Sequence, residues 1–258
     1  MTSAKESHKT TGFVLRTLSY SESDLIITFY SRDFGKLKGI AKGAKRSKKR
    51  FANVFEPFSL TNIIFTRKSY DMLAFIESCD IINHHHAIRQ DMEKTLIASY
   101  LIDLTDHFSP EGKKNEKVFE LLQDFLLILG EEKVTDTVVR FFELRLLKLA
   151  GFEPTLDRCI VCKTPVISGN LYYFHAHEGG IKCSTCAKQQ GSELPISAGT
   201  VRTLLLGKDM DIDKIKLVSV SDSIAMESRS ILIDFIVHLL GREVKSLKVM
   251  EQVRKLYL

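Results

Sequence analysis

Apolar and polar residues alternate with a period of two over the first third of the chain and with a helical period over most of the rest. From Gly12, the run GFVLRTLSY puts Phe13, Leu15 and Thr17 on one face and Val14, Arg16 and Leu18 on the other. The turn Ser21 to Asp24 precedes a run rich in β-branched and aromatic residues, Asp24 to Ser31, and Arg32 to Gly35 reads as a second turn. Lys36 to Gly43, Phe58 to Thr66 and Met72 to Ile82 supply three more strand-like segments. Five short strands within about 80 residues predict a small closed or nearly closed barrel, for which an OB-fold is the economical choice. The first eleven residues read as a polar, frayed start.

Beyond Ile82 the period changes. Ile88, Met92, Leu96, Tyr100, Leu104 and Phe108 form one apolar stripe, predicting a helix over 87–108 that Ser109-Pro110-Glu111-Gly112 ends. Helices are also predicted over 115–129 and 135–149; the latter is apolar around most of its circumference, as a central bundle helix is. Helical patterning returns at 197–206 and at 223–240. In the last of these Glu227, Ser230, Asp234 and His238 make one narrow polar stripe, so the remainder is expected to be buried. The tail, 243–258, is amphipathic and basic. Between 152 and 195 the periodicity is lost and Gly, Pro, Cys and His cluster. The fold class is therefore α+β and multidomain: an OB-fold barrel over 1–82, then a helical domain over 83–151 and 196–258, interrupted by an insertion over 152–195.

The insertion carries Cys159, Cys162, Cys183 and Cys186, spaced C-x2-C-x20-C-x2-C. Two residues between cysteines let both thiolates of a knuckle reach one ion, and four thiolates around zinc leave no open position, so the expected zinc is structural. A redox dithiol or four unrelated thiols are the alternatives. His175 and His177 lie between the pairs and read as polar strand or loop residues. Cys79 reads as a small buried residue.

Charge sharpens the picture. The net charge is +5, yet residues 1–80 hold 14 Lys and Arg against 8 Asp and Glu. Half of the sixteen residues from Gly35 to Arg50 are basic: Lys36, Lys38, Lys42, Lys45, Arg46, Lys48, Lys49 and Arg50. Such a run is either a solvated face or a grip on phosphates, and Gly39 and Gly43 would let the backbone approach closely. Phe51, Phe55, Phe58 and Phe65 follow it, as core residues or as stacking platforms for bases. No P-loop, GxSxG or HExxH occurs, and no tight carboxylate cluster suggests a metal-dependent nuclease. Asp103 and Asp106 read as surface residues, and His84-His85-His86 as a polar linker. No apolar run reaches the ~18 residues of a membrane helix, and the N-terminus lacks a signal-peptide core, so a cytoplasmic location is expected.

Three stretches carry a family resemblance. GFVLRTLSYSESDLIITFYSRDFGKLKGIAKGAKRSKKRFANVFEPF resembles the start of the bacterial recombination and DNA-repair family RecO; RFFELRLLKLAGFEPTLDRCIVCKTP resembles its central helix and zinc insertion; HLLGREVKSLKVM is similar to its last helix. The resemblance implies a non-enzymatic recombination mediator that binds single- and double-stranded DNA, anneals complementary strands, and helps load RecA onto strands coated with single-strand-binding protein (SSB). It implies RecR and the acidic SSB tail as partners, and nucleoid association. An acidic, apolar-ended peptide calls for an apolar groove beside a cation, for which Arg140, Arg145 and Lys148 are candidates. An RNA-binding OB-fold protein without a mediator role is the alternative, since a phosphate grip does not by itself distinguish sugars.

Overall fold

A computed structural model describes residues 6–47, 49–69, 72–131, 135–187 and 193–257. The chain divides into two compact units, Met1–Glu131 and Glu132–Leu258.

The first unit opens with five strands: β1 (Ser7–Ser19), β2 (Leu25–Ser31), β3 (Gly35–Ala41), β4 (Leu60–Thr66) and β5 (Ala74–Asn83). They close in the order β1-β2-β3-β5-β4. The closure rests on β1, whose first half pairs antiparallel with β4 (Ser7↔Thr66 to Phe13↔Leu60) and whose second half pairs with β2 (Gly12↔Ser31 to Ser19↔Leu25). A register shift between Val14 and Arg16 lets one strand turn the barrel's corner. Residues 7–11 are thus ordered strand and not a frayed start. Their side chains are polar, so an apolar pattern could not mark a segment held by main-chain pairing. The seam between β3 and β5 is parallel and short, Gly39↔Ala74 and Ile40↔Phe75. Gly39 belongs to this seam: a Cβ there would collide with the Ile76 side chain. It serves barrel closure and not approach to phosphate.

Inward residues Val14, Ile27, Phe29, Leu37, Ile63, Phe65 and Ile76 fill the barrel together with Cys79. Helices α1 (His86–Arg89), α2 (Met92–Phe108) and α3 (Glu116–Glu131) follow in the same unit. The single helix expected over 87–108 is broken at Asp91, whose carboxylate accepts from the Lys94 amide and caps α2. Asp106 is not a surface residue. It is buried and takes both Lys36 Nζ (3.1 Å) and Arg16 Nη2 (3.2 Å), tying α2 to the barrel. Asp103 pairs with His107 at 3.2 Å.

The second unit is built around α4 (Asp136–Ala150), which buries Val138, Val139, Phe141, Phe142, Leu144, Leu146 and Leu147. Gly151, at φ 86°, caps it. The insertion contains ordered strands that its composition did not announce: β6 (Leu171–His175), β7 (Gly180–Cys183) and β8 (Leu194–Ser197), in the order β7-β6-β8. Then come α5 (Ala198–Asp209), α6 (Ile212–Ile215), α7 (Asp222–Leu240) and α8 (Lys245–Tyr257). Helix α7 is less enclosed than its narrow polar stripe suggested. Its buried residues are Ser228, Ile231, Leu232, Phe235 and Ile236, one face only, while Met226 is exposed. Phe235 packs edge-on against Phe174 of β6 at 5.7 Å, joining helix to sheet.

Helix α5 crosses α4 at Gly207, where a Cβ would enter the ring of Phe141. Both groups are buried and cannot swing aside, so Gly207→Ala should lower the unfolding free energy by about 1–3 kcal/mol. Urea denaturation of the variant checks this.

Candidate nucleic-acid surface and thiolate cluster

The basic stretch splits into two stations within the first unit. Lys36 and Lys38 project from the outer face of β3. Lys36 is only 13% exposed and also donates to the Asp106 carbonyl at 2.6 Å. Lys38 pairs with Glu111. Lys36 is closed off, whereas Lys38 stays partly exposed in a surface pair.

After β3 the chain reverses through Gly43, at φ 70°, into a 3-10 turn over Ala44–Arg46. The β1–β2 turn holds this reversal. Asp24 Oδ1 accepts from the Gly43 amide at 2.8 Å, the Ser23 carbonyl accepts from the Lys45 amide at 3.0 Å, and the Ser21 carbonyl accepts from Lys45 Nζ at 2.6 Å. The Gly43 amide, helped by the Ser23 hydroxyl, holds the Asp24 carboxyl below its ordinary range. Ser47 Oγ then accepts from the amides of Arg50 and Phe51, both at 3.1 Å. The Arg50 guanidinium lies 4.5 Å over the Phe51 ring and donates to the Lys42 carbonyl at 2.6 Å.

Ala44, Phe51, Val54 and Phe55 are buried in the barrel cluster. Lys42, Lys45, Arg46, Lys49 and Arg50 are consequently exposed on one short, anchored rim segment. Arg46 has a loose partner in Glu22, at 3.6 Å with both side chains well exposed; an exposed pair of that kind adds on the order of 0–1 kcal/mol and yields easily to a competing anion. Lys48 lies outside the described residues. Phe51, Phe55, Phe58 and Phe65 are all buried, which removes them as stacking platforms. The signal for the loop's support was the polar turn Ser21-Glu22-Ser23-Asp24, which sequence reasoning took as a turn alone.

In the second unit, main-chain bonds bring the cysteine pairs together. The Ile160 amide donates to the Ile181 carbonyl at 2.9 Å, seating the first knuckle beside β7, which ends at Cys183. Lys163, at φ 63°, closes that knuckle by returning its amide to the Cys159 carbonyl at 3.0 Å; the Cys186 amide does the same to Cys183, also at 3.0 Å. The four Sγ atoms all lie within 4.8 Å of one another, and Cys162 and Cys183 are 3.8 Å apart. Sulfurs about 2.3 Å from a tetrahedral ion stand roughly 3.8 Å apart, so the cluster fits a thiophilic cation. Thr164 prepares it: its hydroxyl and amide bring the Cys162 thiol down to about 6. Burial opposes ionisation of Cys159, yet the main-chain amides of Cys183, Cys162 and Val161 outweigh it and lower its pKa. The neighbouring Cys183 and Cys162 sulfurs push Cys186 up to about 12. Four such groups ionise together only when a cation offsets their charge. Among the described residues no other group of three or more His, Cys, Asp or Glu could hold a metal. His175 and His177 stand outside the cluster, with ring centroids 6.3 Å apart.

The suggested peptide-binding cations are placed differently from one another. Arg140 is fully buried beside Glu143, at 2.9 Å, and is corrected from a partner contact to a core residue. Arg145 donates to the carbonyls of Gly207 and Met210, and Lys148 pairs with Asp209 at 2.8 Å, so both brace the C-terminal end of α5.

Two family models cover the chain, "Recombination protein O N terminal" over residues 4–85 and "Recombination protein O C terminal" over 89–248. The chain belongs to the RecO family. It is 49% identical over 254 residues to the DNA repair protein RecO of Syntrophus aciditrophicus, spanning 98% of each chain. It is 32% identical over 245 residues to that of Anaeromyxobacter sp. strain K, spanning 95% of this chain and 96% of the other. It is 32% identical over 251 residues to that of Desulfatibacillum aliphaticivorans, spanning 95% and 97%. RecO membership places the chain in DNA repair and not among the enzymes. The OB-like barrel is the RecO N-terminal region. No helix among the described residues is long and apolar enough to cross a membrane.

One histidine of the supposed linker is structural. His85 is buried in the left-handed region, at φ 51°, near Phe13, and burial brings its pKa from 6.5 to about 4. Its folded pKa lies below the unfolded one, so the unfolded chain binds the extra proton between these values. The stability tied to a neutral His85 is present above pH 6.5 and should be lost as pH falls towards 4. Denaturant midpoints across that window should fall, and fall less in His85→Gln.

Proposed function

We propose that this protein is a recombination mediator that binds single- and double-stranded DNA through the barrel rim, anneals complementary strands and, with RecR, assists loading of RecA onto SSB-coated DNA. The supporting observation is the anchored segment from Lys42 to Arg50. Its five described, exposed cations stand on a rim next to Lys36 and Lys38, which are paired with Asp106 and Glu111. Annealing makes or breaks no covalent bond. What it requires is that two polyanions be held close, which bound cations achieve by displacing counterions. These side chains contact sugar-phosphate and not base edges, in keeping with a protein that acts on any sequence. The work is cytoplasmic, at the nucleoid. For the SSB tail, Arg140 is enclosed and Arg145 is engaged with main-chain carbonyls, which leaves Lys148, exposed in a surface pair with Asp209, as the remaining candidate cation.

We assign zinc to Cys159, Cys162, Cys183 and Cys186 as a structural ion. When bound it would allow all four thiols to ionise and would hold the two knuckles together; no step of annealing passes through it.

Two measurements test this. In Lys42→Glu/Arg46→Glu/Lys49→Glu, affinity for single strands and duplexes should both collapse while the melting temperature holds. In the milder triple Gln variant the slope of log affinity against log salt should shrink by roughly 2 to 3. Unchanged affinity in a mobility-shift assay, or unchanged annealing of SSB-coated oligonucleotides, contradicts the DNA reading. For the ion, elemental analysis should find one zinc per chain. Cys183→Ser should lose it and become protease-sensitive within 152–195 while DNA binding persists; metal-free wild-type protein with an intact insertion would refute the assignment.

A further inference from the structure

The four phenylalanines that follow the basic stretch are buried, which leaves open what receives the bases of a single strand held along the rim. One ring is placed to do so. Tyr20 stands at the end of β1, 63% exposed. Among the described residues of the barrel it is the exposed phenylalanine or tyrosine, the others being buried or half-buried. Among those residues no ring contact or hydroxyl hydrogen bond engages it. Leu18, on the same strand two residues earlier, is also exposed, at 59%.

The ring is not adrift. The Tyr20 amide donates to the Asp24 carbonyl at 3.1 Å, closing the turn. That same turn carries the three contacts to Gly43 and Lys45 that fix the basic segment, and the Arg46–Glu22 pair besides. Tyr20 and the cations thus belong to one hydrogen-bonded assembly of two adjoining turns. An exposed ring with no aromatic partner gains on covering its face with another π-surface.

We propose that Tyr20 is the base-stacking residue of this surface, receiving an unpaired base while Lys45, Arg46 and their neighbours hold the adjoining phosphates. The assignment rests on the DNA reading above and adds a preference within it: the cations serve single strands and duplexes alike, whereas Tyr20 serves unpaired bases only. In a duplex the base faces are already stacked on one another and offer nothing to a ring at the groove's edge. Stacking tolerates every base, so the residue adds affinity for single strands without adding sequence preference.

The test compares Tyr20→Ala, Tyr20→Phe and the triple charge-reversal variant on oligo-dT and on a duplex of equal length. Tyr20 is exposed and its truncation leaves no cavity, so folding should be untouched, which thermal melting verifies. Tyr20→Ala should weaken oligo-dT binding by roughly 5- to 150-fold, the span of base–aromatic stacking, while duplex affinity moves less than about twofold and the salt slope stays put. Tyr20→Phe should bind as the wild type does, because stacking uses the ring and not the hydroxyl. As the chain has no tryptophan, Tyr20→Trp adds an independent readout: its emission should be quenched by oligo-dT and not by duplex. Oligo-dT affinity unchanged in Tyr20→Ala, or single-strand and duplex affinity falling together, overturns the assignment while the charge-reversal result leaves the DNA reading standing. If the charge-reversal variant binds like the wild type, the DNA reading falls and the stacking role with it.

Discussion

The two-sided pairing of β1 is the constraint on which the first unit depends. One thirteen-residue strand gives its first half to β4 and its second half to β2, so the sheet has no free edge there. The long connection between β3 and β4 must then cross the barrel, and β1 takes hold of it. The Val14 amide donates to the Ser59 carbonyl at 3.0 Å, the Phe58 amide to the Val14 carbonyl at 2.8 Å, and Thr17 Oγ1 to the Phe55 carbonyl at 2.7 Å. With Phe51, Val54 and Phe55 sunk into the core, the preceding residues are left outside with both ends fixed. The described cations of that segment, Lys42, Lys45, Arg46, Lys49 and Arg50, are consequently exposed.

The second unit solves a different problem. Its α4 is surrounded, to the point of enclosing the Arg140–Glu143 pair, and removing either member of an enclosed pair of that kind would leave an uncompensated buried charge. The three short strands beside it have few apolar residues, with Tyr172, Phe174, Ile181 and Ile196 as the main buried ones. Such a sheet has little core of its own, and the four clustered thiols beside it offer a site where a bound cation would supply what bulk does not.

The strands, the long helices and the cysteine spacing were legible because each is encoded locally: alternation, a four-residue stripe, two residues between thiols. The partition of the basic run was not. Lys36 and Lys45 look alike in sequence; what separates them is Asp106, seventy positions further on, whose carboxylate meets one and not the other. Side-chain composition hid the start of β1, since Ser7 to Thr11 are held through main-chain atoms. In the insertion the strands were masked by turn residues and by their own brevity. Phe58 illustrates the limit from the other side: it adopts φ 53°, which bulky residues avoid, and is nonetheless buried under Arg89, whose guanidinium sits 4.4 Å over its ring.

The double engagement of Asp106 has an effect at a distance from the pair itself. By meeting Lys36 and Arg16 together, this one carboxylate offsets about half of the positive charge on the flank of the barrel that adjoins α2, while most of the rim's cations have no carboxylate so close. The electric field around the first unit is therefore lopsided. A polyanion approaching that unit would feel the rim before the flank, so an aspartate outside the rim helps set where the unit attracts negative charge.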